Sequence, residues 1–284
     1  MMRAMVLGAS GMLGRDIMKE GPSAWQLCGF SHAELDVTDR PSVAKALGTV
    51  RPEVVINAAA YTKVDQAESE TELAYSINAT AVATLATMAA EKGFLLVHIG
   101  TDYVFDGDSN SPYPEEGKTN PLGTYGSSKL AGERALEDSG AAYLLVRTQW
   151  LFGIHGRSFP KTMWERAKRG AATAVVNDQT GRPTHTVDVA RAIWTLVLGG
   201  WKGCFHVANS GEATWFDVAA HIFKRAQKSS LLKACTTKDY PTIARRPYYS
   251  VLSTQHYDSS THQPLRNWRT ALDDFLTALD QGVS

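Results

Sequence analysis

The 284-residue chain lacks most of the features that would assign it quickly. Neither charge is in surplus. Its 29 Lys and Arg balance 29 Asp and Glu, so no general electrostatic pull toward nucleic acid is built in. Cysteine is scarce: Cys28, Cys204 and Cys235 form no CxxC pair and have no spacing that fits a zinc site. An odd, sparse set reads as reduced thiols in a reducing compartment. The N-terminal "MMRAMVLGASGML" has no long apolar run before its first glycines, so no signal peptide is expected, and no stretch is expected to span a bilayer. Internal repeats and low-complexity tracts are missing too. The histidines are scattered, and no metal constellation stands out. These absences point to a cytoplasmic protein with neither a nucleic-acid nor a membrane partner.

What is present is alternation. "AMVLGAS", "WQLCGF", "PEVVINAAA", "FLLVHIGT" and "AAYLLVRT" read as short, apolar, buried strands. Between them lie helical stretches: "GMLGRDIMKEG", "TDRPSVAKALGTV" with Thr38 or Asp39 as cap, a long run from about Asp65 to Lys92 bent near Tyr75, and "LAGERALEDSG". Strands apolar on both faces, separated by helices, predict an α/β fold with a parallel sheet covered on both sides. The expectation is a Rossmann-like doubly wound sheet over residues 1–150, to which 184–208 return. A smaller C-terminal substrate-binding region is expected over 151–183 and 209–284.

The first strand runs into Gly8, Ser10, Gly11, Met12, Leu13 and Gly14, a G-x-x-G-x-x-G turn that opens a helix. Glycine lets the backbone turn tightly and approach a pyrophosphate, and the helix N-terminus favours an anion. The same spacing is found in plain tight turns; its place after the first strand of an alternating chain argues for dinucleotide binding. After the second strand, Ser31 and His32 stand where the adenosine ribose should lie, with Glu34 and Asp36 further on. With no acid directly at the strand end, a 2′-phosphate is tolerated, which leans the reading to NADPH with NADH left open. His32 reads equally well as a solvated loop residue.

Tyr125 and Lys129 lie at i, i+4 and would share a helix face. An ammonium near a phenol favours the phenolate, so the pair suits general acid catalysis. Thr101, at the carboxyl end of the fourth strand, lies where ligands of parallel sheets bind and could hold a substrate carbonyl.

Thr101, Tyr125 and Lys129 after such a glycine turn resemble the extended short-chain dehydrogenase/reductases. "NAAAYTKVDQAESE", "TDYVFDG", "NPLGTYGSSKLAGE", "VRTQWLFG", "VNDQTGRPT" and "RRPYYSVL", in that order, are similar to the dTDP-4-dehydrorhamnose reductase family. The resemblance implies hydride transfer to C4 of dTDP-4-dehydro-β-L-rhamnose, with Tyr125 as proton donor, Lys129 tuning it and binding the nicotinamide ribose, and Thr101 on the substrate oxygen. It implies that Asn57, Ala58 and Ala59 line the cofactor and that Asp36 and Val37 lie near adenine. Tyr61, Thr62, Asp102, Trp150, Gln179 and Arg246 become candidates for the sugar nucleotide. A homodimer and a magnesium ion are left open by the resemblance. Two departures stand out: Gly100 where the family usually has Ser, expected to loosen that loop, and Ser158 where related reductases have Asn. Other readings are a reductase or epimerase of another nucleotide sugar, or a non-catalytic subunit like the regulatory β subunit of methionine adenosyltransferase. The complete Thr101, Tyr125 and Lys129 set favours chemistry.

Overall fold

A computed structural model describes residues 1–282. The N-terminal half alternates strictly: β1 (Arg3–Leu7), α1 (Met12–Lys19), β2 (Gln26–Phe30), α2 (Arg40–Val50), β3 (Val54–Asn57), α3 (Val64–Ala67), α4 (Thr71–Tyr75), α5 (Ala81–Lys92), β4 (Leu95–Thr101), α6 (Thr124–Glu137) and β5 (Tyr143–Thr148). The second half holds β6 (Leu151–Phe152), α7 (Phe159–Lys168), β7 (Thr173–Val176), β8 (Thr180–Gly181), β9 (Thr184–His185), α8 (Thr186–Leu198), β10 (Gly203–His206), β11 (Ala213–Thr214), α9 (Trp215–Arg225), β12 (Leu232–Cys235), α10 (Gln255–Thr261) and α11 (Trp268–Asp280).

Six strands form one parallel sheet in the order β2-β1-β3-β4-β5-β10. The chain leaves β1 toward β2 on one side and resumes at β3 on the other. The topological switch point, where ligands of open α/β sheets bind, therefore lies beyond the carboxyl ends of β1 and β3. Side chains alternate between faces as a strand requires. Ala4, Val6, Val54, Ile56, Val97, Leu144 and Val146 pack with Ile17, Ile193 and Trp194 on one side. Met5, Leu7, Val55, Leu96 and Leu145 pack with Leu47, Leu85, Met88 and Leu136 on the other. The edge strand β10 is supplied by the second half of the chain, which also builds its own core from Phe152, Trp164, Val218, Ile222, Phe223, Trp268 and Phe275.

Local sequence explains several boundaries. Asp39, not Thr38, caps α2 by accepting from Ser42 N, and Pro41 follows where a missing N–H costs little. The bend near Tyr75 is a π-helical turn over Ser76–Thr80, between α4 and α5. Gly132 on α6 lets the two backbones meet there, because a Cβ at that position would overlap the Asn78 carbonyl oxygen. The run Thr71–Lys92 is helical over 22 residues and apolar enough to cross a membrane by length and composition. That differs from the sequence expectation. Its Ala81, Val82, Leu85, Ala86, Met88 and Ala89 are nevertheless buried against the sheet, as in any core helix. Helices α7 and α10 and strand β12 are not anticipated by the sequence reading.

Candidate active site

The carboxyl ends of β1, β3, β4 and β5 open into a cleft of about 640 Å³. One wall is the glycine turn. Gly8 has φ +74°, and a Cβ there would stand 2.8 Å from Ala59 N. A Cβ on Gly14 would overlap the Gly8 carbonyl oxygen. Both positions therefore require glycine. The N-cap of α1 is Gly11, with no side-chain cap, so the first N–H groups of α1 point into the cleft unmasked. Ser10, Gly11, Met12, Leu13 and Gly14 all line it, as does Ala58, so a pyrophosphate has a fitting cradle.

The opposite wall comes from β4 and α6. Thr101 ends β4, is buried, and donates from Oγ1 to Asp102 Oδ1 at 3.2 Å. Tyr125 lies in the first turn of α6, edge-on to Tyr103 at 5.4 Å between centroids. Burial pushes its phenol up to about 12, only partly offset by the Thr101 hydroxyl. Lys129 follows one turn later and is 1% exposed. Its Nζ donates to the Ile99 carbonyl at 2.6 Å and lies 3.3 Å from His98 Nε2. Burial lowers it to about 8, against the opposing pull of Glu133. The expected downward tuning of Tyr125 by Lys129 is thus not what this geometry yields: the ammonium is directed at β4, and desolvation dominates the phenol.

Behind Lys129 runs a buried chain. Asn57 Oδ1 accepts from Ala59 N at 3.2 Å, which turns its Nδ2 to His98 Nδ1 at 3.3 Å. The other ring nitrogen, Nε2, faces Lys129 Nζ. Burial, reinforced by the nearby lysine, holds His98 well below its ordinary pKa, so the imidazole is neutral. Asn57 therefore sits one layer behind the cleft surface. Asp102 is also buried, with Oδ2 unpartnered, and burial raises its carboxyl to about 7.

Thr148, Gln149 and His155 line the same cleft, with Thr148 Oγ1, Gln149 Nε2 and His155 Nδ1 buried and unpartnered. Such atoms are free to bond a polar ligand or water. None of the three was singled out from sequence. Thr148 ends β5 and Gln149 follows it, so the rule that identified Thr101 would have found them. Asn78 was missed as well: from the π-turn it bonds Tyr61 N, Tyr61 O and Ser128 Oγ.

The remaining candidates divide. Thr62 and Trp150 line the cleft. Tyr61 does not; its hydroxyl donates to Glu70 at 2.7 Å. Gln179 and Arg246 line a second cleft of about 320 Å³, with Phe159, Trp215 and Tyr240. Trp150 stacks face to face on Trp215 at 3.5 Å between centroids, joining the two clefts. Arg246 is paired with Asp65 at 2.8 Å and lies over the Tyr103 ring at 5.9 Å. Ser31, His32, Asp36 and Val37 lie beyond β2; they do not line the first cleft, and neither do Gly8 after β1 nor Asn57 and Ala59 at the end of β3. The expectation of no acid at the end of β2 needs correction. A tight turn brings Glu34 back, and its Oε2 accepts from Ser31 N at 2.8 Å and Ser31 Oγ at 2.7 Å. Gly100 has a packing reason rather than a loosening effect: a Cβ there would stand 2.5 Å from Glu133 Oε1 and 2.8 Å from Arg147 Cγ. Ser158 caps α7 by accepting from Lys161 N. Among the described residues, no three His, Cys, Asp or Glu side chains cluster as a metal set.

Comparison with known proteins gives a consistent picture. Residues 2–281 match the model of the family described as RmlD substrate binding domain. A Streptomyces antibioticus protein, named a probable dTDP-4,6-dihydroxy-2-methyloxan-3-one 4-ketoreductase, is 40% identical over 95% of this chain and 93% of its own. The dTDP-4-dehydrorhamnose reductase of Escherichia coli K12 is 36% identical over 98% of each chain. Among solved structures, dTDP-4-dehydrorhamnose reductase from Bacillus anthracis, in complex with NADP, superposes with a TM-score of 0.94 at 35% identity, over 97% of this chain and 99% of that one.

Proposed function

Because the chain belongs to the RmlD substrate binding domain family, we propose that it is an oxidoreductase that reduces the 4-keto group of a dTDP-linked deoxysugar. In this reading the substrate is dTDP-4-dehydro-β-L-rhamnose and the product dTDP-β-L-rhamnose. The observation that carries it is the convergence of Thr101, Tyr125 and Lys129 on the cleft that the glycine turn also lines. A reduced nicotinamide dinucleotide would be held by Gly11, Met12 and Leu13 at its pyrophosphate and by Lys129 at its nicotinamide ribose, and when bound it supplies the hydride.

The protein's own groups manage the oxygen. The Thr101 hydroxyl holds the substrate carbonyl, and Tyr125 gives its phenolic proton to the oxygen as negative charge develops there. A phenol raised to about 12 is fully protonated at neutral pH. An alkoxide is a far stronger base than such a phenolate, so the transfer remains downhill. Asp102, Thr148 and Gln149 offer buried polar atoms to the sugar hydroxyls. The nucleotide would continue past Trp150 into the second cleft, with Phe159 and Trp215 beside the base and Arg246 near the pyrophosphate. Its partner is the dTDP-sugar. A cytoplasmic site of action and a homodimer are compatible with this reading.

The test is oxidation of NADPH and of NADH with enzymatically made dTDP-4-dehydro-L-rhamnose. Tyr125→Phe should keep dinucleotide binding and lose roughly 10²–10⁴-fold in turnover. Unchanged turnover would overturn the assignment of Tyr125. A second reading, reduction of another dTDP-4-keto sugar, is favoured by the 40% identity to the Streptomyces antibioticus protein. Dinucleotide binding without turnover of the rhamnose precursor, together with turnover of another dTDP-4-keto sugar, would select it.

A further inference from the structure

Tyr125 sits in the first turn of α6, and that helix has no cap of its own. Its N-cap residue is Gly123, with extended backbone and no side chain to offer. The cap comes instead from 56 positions away. Glu68, just after α3, accepts from Thr124 N with Oε1 and from Thr124 Oγ1 with Oε2, both at 2.9 Å. A Cβ on Gly123 would stand 2.5 Å from Glu68 Oε1, so a local cap and the distant one exclude each other. A local Ser, Thr, Asp or Asn would satisfy the helix end equally well. What only the distant carboxylate supplies is a fixed distance between α6 and the segment 62–68, whose Thr62 and Val64 line the first cleft.

Asp65, within α3, makes the corresponding link to the second cleft. Its Oδ1 accepts from Ala244 N at 3.0 Å and its Oδ2 from Arg246 Nη2 at 2.8 Å. Arg246 Nη1 turns back on the Ala244 carbonyl at 3.5 Å, so one carboxylate grips the loop backbone and the guanidinium together. Arg246 lines the second cleft from this position. One short stretch of chain therefore holds two pieces of the site, each through both oxygens of a single carboxylate.

We propose that Asp65 and Glu68 are positioning residues with separate targets: Glu68 sets Tyr125 against the reacting carbonyl, and Asp65 aims Arg246 at the diphosphate of the sugar nucleotide. Neither touches the reacting atoms. The inference rests on the reductase reading above and deepens it. Loss of Glu68 frees the first turn of α6, and a displaced proton donor is felt in the transition state, so the effect falls on kcat. Loss of Asp65 leaves Arg246 in place but unaimed, and a diphosphate is held equally before and during reaction, so the effect falls on KM. The bland alternative is that both carboxylates only stabilise the fold. That would lower stability and leave the kinetic constants of the folded protein alone.

Steady-state kinetics with NADPH and dTDP-4-dehydro-L-rhamnose, or another dTDP-4-keto sugar if the wild type prefers it, separate the two when run beside urea denaturation. Glu68→Ala should lower kcat roughly ten- to a hundredfold, the order expected for a slightly misplaced reacting group, with KM for the sugar nucleotide little changed. Asp65→Ala should raise that KM roughly tenfold, the effect of one hydrogen bond to a charged group, with kcat little changed. The conservative variants then part for a chemical reason. Glu68→Gln should recover most of the lost kcat, because its oxygen accepts from Thr124 N and its amide can donate to Thr124 Oγ1. Asp65→Asn should keep the raised KM, because an amide N–H and a guanidinium only donate and asparagine has one acceptor oxygen for the two. Should Glu68→Ala fail to fold, Thr124→Val removes the hydroxyl half of the cap and should lower kcat in the same sense. Variants that lose stability with kcat and KM unchanged, or that all move the same constant, overturn the inference and leave the reductase reading standing. A wild type that binds dinucleotide but reduces no dTDP-4-keto sugar sinks that reading, and this inference with it.

Discussion

Replacing Lys129 with methionine should make the protein more stable while abolishing its turnover. Lys129 is 1% exposed, and burial brings its pKa from an ordinary 10.5 to about 8. That difference corresponds to about 3 kcal/mol of penalty for carrying the charge in the folded state. Below pH 8 the lysine is charged both folded and unfolded, so the whole penalty applies. Between pH 8 and 10.5 the unfolded chain binds the proton more tightly, and stability rises with pH as that proton is lost. Above 10.5 both states are neutral and the penalty is gone. Methionine fills a similar volume without a charge but loses the bond to the Ile99 carbonyl, a cost of about 1 kcal/mol. The variant should therefore be more stable by about 2 kcal/mol at pH 7, and the advantage should vanish by about pH 10.5. Urea denaturation of both proteins at pH 7, 9 and 10.5 measures this. A variant less stable than wild type at pH 7, or a difference that ignores pH, would refute the reasoning.

Two further outcomes follow from buried contacts. Gly14→Ala should gain helix propensity yet weaken dinucleotide binding by roughly ten- to a hundredfold, since a Cβ overlaps the Gly8 carbonyl and overpacking costs about 1–3 kcal/mol; an unchanged Kd in a fluorescence titration would remove the close-approach argument. Arg147→Met should destabilise by about 3–5 kcal/mol, read by urea denaturation at pH 7. It strands Glu133, which Arg147 holds through Nε at 3.0 Å and Nη2 at 2.9 Å in a site where both side chains are nearly inaccessible. A loss under 1 kcal/mol would mean that water reaches the pair.

Much of this protein is written locally. The strands are legible because parallel strands are buried on both faces and so appear as unbroken apolar runs, as in "VVIN" and "YLLV". The glycine turn is legible because backbone approach admits few residues, and Tyr125 and Lys129 because one helical turn spaces them. Tertiary structure alone decided the rest. It returned Glu34 to the Ser31 amide, a contact set by the path of a turn. It placed His98, an unremarked residue in an apolar strand, between Asn57 and Lys129, 41 and 31 positions away. It made Gly100 a packing necessity, through Glu133 on α6 and Arg147 on β5. It turned Lys129 toward β4, so that burial rather than the tyrosine governs its proton. Local pattern records what each residue prefers in its own segment; hydrogen bonds between distant segments and the loss of water around a charge exist only once the segments have packed.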